Sequence, residues 1–144
     1  REAMALASHY AGLALNQAGL GYVHAIAHQL GACYGVSHGR ANAIVLPHVL
    51  DFNAQVSQAR LALLARTTGL ASETDGDTAA AGRLIHWVRG LLEELQIETR
   101  VEGIHRRDFK RILKGAFAEA HGTYAVPRYM RHEDVTGLLE ALDR

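Results

Sequence analysis

The chain has 144 residues, 49% of them apolar and 21% charged, which is typical of a folded globular domain and excludes a disordered chain. Its formal net charge is zero and no apolar run approaches the roughly 20 residues of a membrane-spanning helix, so neither nucleic acid nor a membrane is an expected partner. A single cysteine, Cys33, excludes an internal disulfide framework and predicts a cytoplasmic protein.

The first two segments have the residue spacing of helices. Residues 1–16 carry apolar side chains three and four positions apart, and no Ser, Thr, Asp or Asn precedes them to cap the first backbone amides. Such an uncapped start is expected either in a piece of a longer protein or at a frayed terminus. Residues 21–32 are apolar on nearly all sides, which predicts a buried helix.

The third segment, residues 40–53, also has its apolar side chains on one helical face. Pro47 is expected to kink this helix or to split it, because proline cannot donate the backbone hydrogen bond of a helix interior. A strand over residues 44–50 is the alternative interpretation of the same apolar run.

The same spacing predicts further helices along the chain. Ser57 is expected to cap one that ends at Gly69, and Asp77 to cap the longest one. Another carries its apolar stripe over residues 109–120 and is ended by Gly122.

The last helix places Glu133 and Asp134 in its first turn, where the helix dipole favours negative charge. Only residues 97–101 alternate weakly as a strand would. The sequence therefore predicts a single all-α domain, a helical bundle, over residues 1–144.

Three of the nine histidines have a spacing that points to chemistry. His24 and His28 are four residues apart on the buried helix, so their side chains leave the same face. His38 follows a glycine-bearing turn that would fold it back over that face. Buried imidazoles need a hydrogen-bond partner or a metal, and imidazole is a common ligand of iron, zinc and copper. Spacing alone leaves both possibilities open.

The residues around these histidines form a dense motif. The run GLGYVHAIAHQLG at residues 19–31, followed by SHGRANAIVLPHV at residues 37–49, closely resembles the signature of the iron-containing (group III) alcohol dehydrogenases. The resemblance is densest over residues 16–53, includes the preceding helix, and is looser from residue 54 onward. Near the end, Val126-Pro127-Arg128 stands where many members have Asn-Pro-Arg.

This resemblance implies a C-terminal helical domain that holds a divalent metal, Fe²⁺ or Zn²⁺, against an N-terminal α/β domain that binds NAD(P). It implies His24 and His38 as metal ligands, and His28 as a catalytic residue in proton relay or orientation. It also implies that Leu15 contacts the cofactor nicotinamide and the substrate. In such enzymes the metal acts as a Lewis acid while hydride passes between an alcohol or aldehyde and the nicotinamide.

The rest of the machinery that the resemblance implies is absent from these 144 residues. In the family, an aspartate and a further histidine ligand stand earlier, in the form Asp-x-x-x-His, and no such pair precedes His24 here. Gly19-Leu20-Gly21 is too short to indicate a dinucleotide site. We therefore expect a fragment that lacks the N-terminal domain and is inactive alone.

Two other functions are compatible with the same residues. One is a non-catalytic helical module derived from this fold that acts by self-association, for instance as a homo-oligomer, because loss of a domain exposes apolar surface. The other is a stand-alone histidine metal sensor.

Of the other histidines, His48 lies on an apolar face and is expected to bond within the core rather than to bind metal.

Overall fold

The computed structural model describes residues 1–143, and over these residues the chain is helical and contains no strand. The helices are α1 (Glu2–Ala18), α2 (Tyr22–Tyr34), α3 (His38–Thr67), α4 (Asp77–Glu94), α5 (Arg106–Gly122) and α6 (His132–Leu142). The prediction of an all-α fold is confirmed. Within the described part of the chain, no helix is long and apolar enough to cross a membrane.

Helix α2 lies at the centre of the larger of two hydrophobic clusters, between α3 and α5. It is buried on opposite sides, as its apolar sequence predicts, and small side chains allow its neighbours to approach closely. The buried residues of α2 are Tyr22, Ala25, Ile26, Ala27 and Leu30. The apolar stripe of α5 packs on this core, and α6 closes it with Val135, Leu138, Leu139 and Leu142.

The smaller cluster joins the second half of α3 to α4. Its members are Leu61, Ala62, Ala65, Ala80, Ala81, Leu84 and Ile85. Leu95, which the helical spacing places on the buried stripe of α4, lies just past the end of that helix and is 59% exposed. The buried face of α4 therefore ends before Leu95, one position earlier along the helical stripe than the sequence predicts.

The break expected at Pro47 occurs elsewhere. Helix α3 runs through the buried Pro47 and leaves helical geometry only at Ser57, where φ is −124° and ψ is 17°. Ser57, expected to cap a separate helix, does mark the junction of two helical segments, but its side chain makes no capping hydrogen bond and the segments continue into each other across the bend. Before the bend, α3 contributes Ala41, Ile44, Val45 and Val49 to the main core, while Leu50 and Ala54 from the same half already pack against the smaller cluster with α4. Residues 44–50 are helical, and residues 97–101 form a loop.

Helix α1 differs from the others because none of its side chains is buried. No side chain caps its first turn, and it makes no extensive contact with another described helix. Met4 and Tyr10 are 74% and 60% exposed. Gly19, with φ 77°, ends the helix and begins the short turn into α2. This turn is the feature that places the end of α1 beside the histidine-bearing helix.

Candidate functional site

The turn between α2 and α3 brings the three histidines together. Gly35 adopts the left-handed conformation, with φ 67° and ψ 17°, and its N–H donates to the Gly31 carbonyl at 3.0 Å. Helix α3 then begins at His38, over the face of α2 that carries His24 and His28. The ring centroids are 5.9 Å apart for His24 and His28, and His38 lies 5.4 Å from each of them.

The spacing of these rings suits a shared metal ion. Two imidazoles that bind one metal at nitrogen–metal distances of ~2.0–2.1 Å have ring centroids about 5 Å apart, close to the separation of His24 and His38. Over residues 1–143, however, no group of three or more His, Cys, Asp or Glu side chains is arranged to hold a metal by itself. The cluster therefore fits a divalent metal as part of a ligand set, and further ligands are needed to complete it.

The ring of His38 is held by Asn42, one helical turn further along α3. The Asn42 side-chain amide donates to the His38 carbonyl at 2.9 Å and lies 3.1 Å from Nε2 of the His38 ring. The Asn42 Oδ1 atom is buried, and within the described chain it has no hydrogen-bond partner. Because the amide nitrogen donates, Nε2 accepts this bond and the proton of the neutral ring is on Nδ1, so Nε2 can bind a metal only if the Asn42 contact is released.

The environment of His24 favours its neutral form. Partial burial lowers the pKa of His24 below its ordinary value, and the neighbouring His38 and His28 lower this pKa further, against an opposing effect of Glu119. A neutral imidazole is the form that binds metal, so no proton has to be displaced from this ring near neutral pH.

A carboxylate that the sequence patterns do not single out completes the cluster. Glu119 on α5 accepts a hydrogen bond from Nδ1 of His28 at 2.8 Å, and its other oxygen accepts one from the Gln29 amide at 2.9 Å. Tyr124 donates its hydroxyl to Glu119 at 3.0 Å. Tyr124 is only five residues from Glu119, but His28 and Gln29 are about ninety residues away, so a local motif cannot reveal their contacts with it. The one local signal is Gly115, an unexplained glycine within α5.

An apolar cleft of about 390 Å³ lies against one side of the histidine cluster. Leu15 from the end of α1 and His24 both line it, together with Asn42 and Leu46 from α3. Its volume is in the range of pockets that hold small organic ligands. The structure thus places the predicted cofactor-contacting residue, Leu15, and one predicted metal ligand on the walls of the same cleft.

Two other segments noted in the sequence lie at the edges of this region. Pro127, within the turn that departs from Asn-Pro-Arg, lines the apolar cleft, and Arg128 stacks its guanidinium 3.6 Å above the centre of the Phe52 ring.

His48 lines a different cleft, beside Arg89. Burial, and after it the charge of Arg89, lowers the pKa of His48. His48 is therefore separate from the three clustered histidines.

Comparison with known proteins identifies the family of the chain. The sequence profile of the Fe-containing alcohol dehydrogenase family, C-terminal, matches residues 1–142. The NADPH-dependent butanol dehydrogenase of Clostridium saccharobutylicum is 35% identical over 147 aligned residues, which cover 99% of this chain and 37% of that protein. The 1,3-propanediol dehydrogenase of Citrobacter freundii is 37% identical over 139 residues, which cover 94% of this chain and 35% of that protein.

Solved structures give the same result. A 1,3-propanediol oxidoreductase superposes with a TM-score of 0.82 at 31% identity, over 92% of this chain and 35% of that one. The alcohol dehydrogenase of Oenococcus oeni gives a TM-score of 0.80 at 32% identity, with the same coverage. The chain spans about a third of the length of these relatives. By sequence and by fold, the chain belongs to the Fe-containing alcohol dehydrogenase family and corresponds to its C-terminal part.

Proposed function

We propose that this chain is the metal-facing helical part of an alcohol dehydrogenase that transfers hydride between an alcohol or aldehyde and NAD(P). The observation that carries the proposal is the convergence of His24, His28 and His38 beside an apolar cleft. The names of the relatives support it, since a butanol dehydrogenase and a 1,3-propanediol dehydrogenase each align with nearly the whole chain.

Each residue of the cluster has a distinct proposed role. His24 and His38 would hold a divalent metal, Fe²⁺ or Zn²⁺, which when bound draws electron density from the substrate oxygen and stabilises its negative charge. His28 would take up or return the hydroxyl proton of the substrate, as a positioned imidazole does in general acid–base catalysis. Leu15 and the cleft beside it would hold apolar groups of substrate and nicotinamide and exclude water.

The proposal requires groups beyond those of this chain. The family resemblance implies four protein ligands, an aspartate and three histidines, and His24 with His38 would supply two of them. We propose that the remaining ligands and the NAD(P)-binding domain come from the portion of the protein that corresponds to the other two thirds of the relatives. On this view residues 1–144 form one helical domain that is inactive alone, within an enzyme of the cytoplasm.

Removal and return of metal tests the proposal directly. The protein is expressed as its gene encodes it, stripped with a chelator, and assayed for NAD(P)-linked conversion of primary alcohols and aldehydes. We expect activity to disappear on chelation and to return with Fe²⁺ or Zn²⁺, because the metal would supply the Lewis acid that stabilises the negative charge on the substrate oxygen. Absence of conversion with either nucleotide in the metal-loaded protein would refute the proposal.

The same preparation tests the non-catalytic alternative. The observation that favours this alternative is the exposed apolar surface of α1, where Met4 and Leu6 are 74% and 50% exposed. A module that acts by self-association forms oligomers, binds no nicotinamide nucleotide and gains no activity with metal. That combination of results would replace the dehydrogenase proposal.

Replacement of Leu15 tests whether the apolar cleft receives the substrate. We expect Leu15→Ala to lower kcat/KM for short alcohols by about tenfold, because it removes apolar contacts from the cleft wall, and to lower it less for longer alcohols that refill the space. Leu13→Ala is the matched control, since Leu13 is on the same helix, is 53% exposed and does not line the cleft. Equal effects of the two substitutions at every chain length would show that the substrate binds elsewhere.

A further inference from the structure

We propose that Glu119 is a positioning residue of this site, and that its carboxylate holds the His28 ring with the proton on Nδ1 and the lone pair on Nε2. Nε2 is then the atom of His28 that exchanges a proton with the substrate. The inference rests on the proposed function for the identity of that substrate, but the positioning itself is a property of this chain alone.

The hydrogen bonds around Glu119 determine which nitrogen of His28 carries the proton. An ionised carboxylate can only accept hydrogen bonds, so the 2.8 Å contact to Nδ1 requires that Nδ1 donate. The neutral ring then has its lone pair on Nε2. A carboxylate bonded to a histidine in this way fixes its tautomer and orientation.

Glu119 is itself held from two further directions. The Gln29 amide donates to one carboxylate oxygen at 2.9 Å, and the Tyr124 hydroxyl donates to the other at 3.0 Å. The donors come from α2 and from the segment after α5, so the carboxylate is fixed between separate parts of the fold. His28 and Glu119 retain 35% and 29% side-chain exposure, which distinguishes the pair from a fully solvated surface ion pair.

The packing of α5 on α2 accommodates this network at Gly115. A Cβ atom at this position would overlap the Gln29 side-chain amide, so only glycine leaves room for Gln29 to cross α5 and reach Glu119. Glycine is unfavourable in a helix interior relative to alanine. Helix α5 therefore has a glycine, which disfavours a helix, at the position where the Gln29 side chain needs room to reach Glu119.

The ring that Glu119 holds faces the proposed ligands. The His28 ring stacks on that of His38 with an interplanar angle of 23°. Because Nδ1 is engaged by Glu119, rotation of the ring about its Cβ–Cγ bond would break the 2.8 Å contact. Glu119 thus restrains both the tautomer and the orientation of His28 without touching substrate.

Substitution of Glu119 in the protein as its gene encodes it separates positioning from folding. Glu119→Gln preserves the shape but can present an amide donor to Nδ1, which favours the opposite tautomer. We expect kcat to fall by about 10–100-fold, the usual effect of replacing the partner of a functional histidine, with KM changed less than about twofold. Metal content should be unchanged because His24 and His38 are intact, and Glu119→Asp should recover part of kcat.

Two further variants control this comparison. Asp108→Asn makes the same carboxylate-to-amide change elsewhere on α5, where the carboxylate accepts a 3.0 Å hydrogen bond from the Tyr34 hydroxyl, and should leave kcat unchanged. Gly115→Ala displaces only the flexible Gln29 side chain. It should therefore lower kcat several-fold in the same direction without lowering Tm. A loss of Tm that accounts for the loss of activity in both Glu119→Gln and Gly115→Ala would overturn the positioning role.

A spectroscopic measurement distinguishes this inference from the proposed reaction. The imidazole nitrogen chemical shifts of His28 in the zinc-loaded protein should report Nδ1–H in the wild type and a shift toward Nε2–H in Glu119→Gln. If the wild type converts no alcohol but the tautomer changes as expected, the reaction proposal fails and the positioning role stands. If the tautomer and kcat are both unaffected by Glu119→Gln, the positioning role is wrong.

Discussion

Replacement of His38 by alanine is expected to abolish metal-dependent alcohol conversion while leaving the fold intact. His38 is exposed at the start of α3, and its ring contacts His24, His28 and Asn42 rather than the apolar core. His38 is one of only two metal ligands proposed within this chain, so its loss should prevent the site from holding metal. Because a bound metal contributes several kcal/mol to transition-state stabilisation, we expect kcat/KM to fall by about a thousandfold or more.

Metal content measured beside activity identifies which histidines are ligands. His38→Ala and His24→Ala should each lose bound metal, whereas His28→Ala should retain it and lose about 10²–10⁴-fold in kcat, as expected for an acid–base residue. His86→Ala, at an exposed position on α4, is the control and should change neither quantity. If His28→Ala loses metal and His38→Ala keeps it, the proposed roles of these two residues must be exchanged.

The second large effect is expected at Leu30, the fully buried residue of α2 that follows the histidine pair. Leu30→Ala removes a side chain with 0% exposure from the main core, and such substitutions lower the free energy of unfolding by about 2–5 kcal/mol. For a domain of this size the corresponding fall in Tm is about 10 °C. Thermal unfolding followed by circular dichroism measures it.

Leu63→Ala is the matched control for Leu30→Ala. Leu63 lies on α3 with 63% of its surface exposed, so the same chemical change should alter the free energy of unfolding by less than about 0.5 kcal/mol. Equal losses of Tm in the two variants would mean that α2 is not the centre of the core in solution.

Local sequence predicted the fold where local pattern and tertiary packing agree. Residues 21–32 are apolar on nearly all sides, which in a globular domain is typical of a helix buried between other helices, and α2 has that position. The stripe of α5 could likewise be predicted from its spacing. Pro47 shows the limit of this reasoning, since packing on both halves of α3 maintains the helix through a residue that locally disfavours it.

The histidine cluster could be predicted because its three members lie within fifteen residues of one another and are joined by one glycine turn. Glu119 could not, because its approach to His28 depends on how α5 packs against α2. A single sequence contains no pattern that links two residues 91 positions apart. Gly115 is the one local feature associated with this network, and only the structure shows that the Gln29 side chain occupies the space beside it.

The lack of buried side chains in α1 has a consequence for how firmly the walls of the cleft are held. A single helix of about 12–15 residues is only marginally stable in water without tertiary contacts, and α1 has few of them. In residues 1–143 taken alone, local unfolding of its 17 residues would therefore cost less than unfolding of α2, which lies inside the main core. Leu15 is on α1 and His24 is on α2. Within residues 1–143, the wall of the cleft formed by α1 is therefore held less firmly than the wall formed by α2, which carries His24.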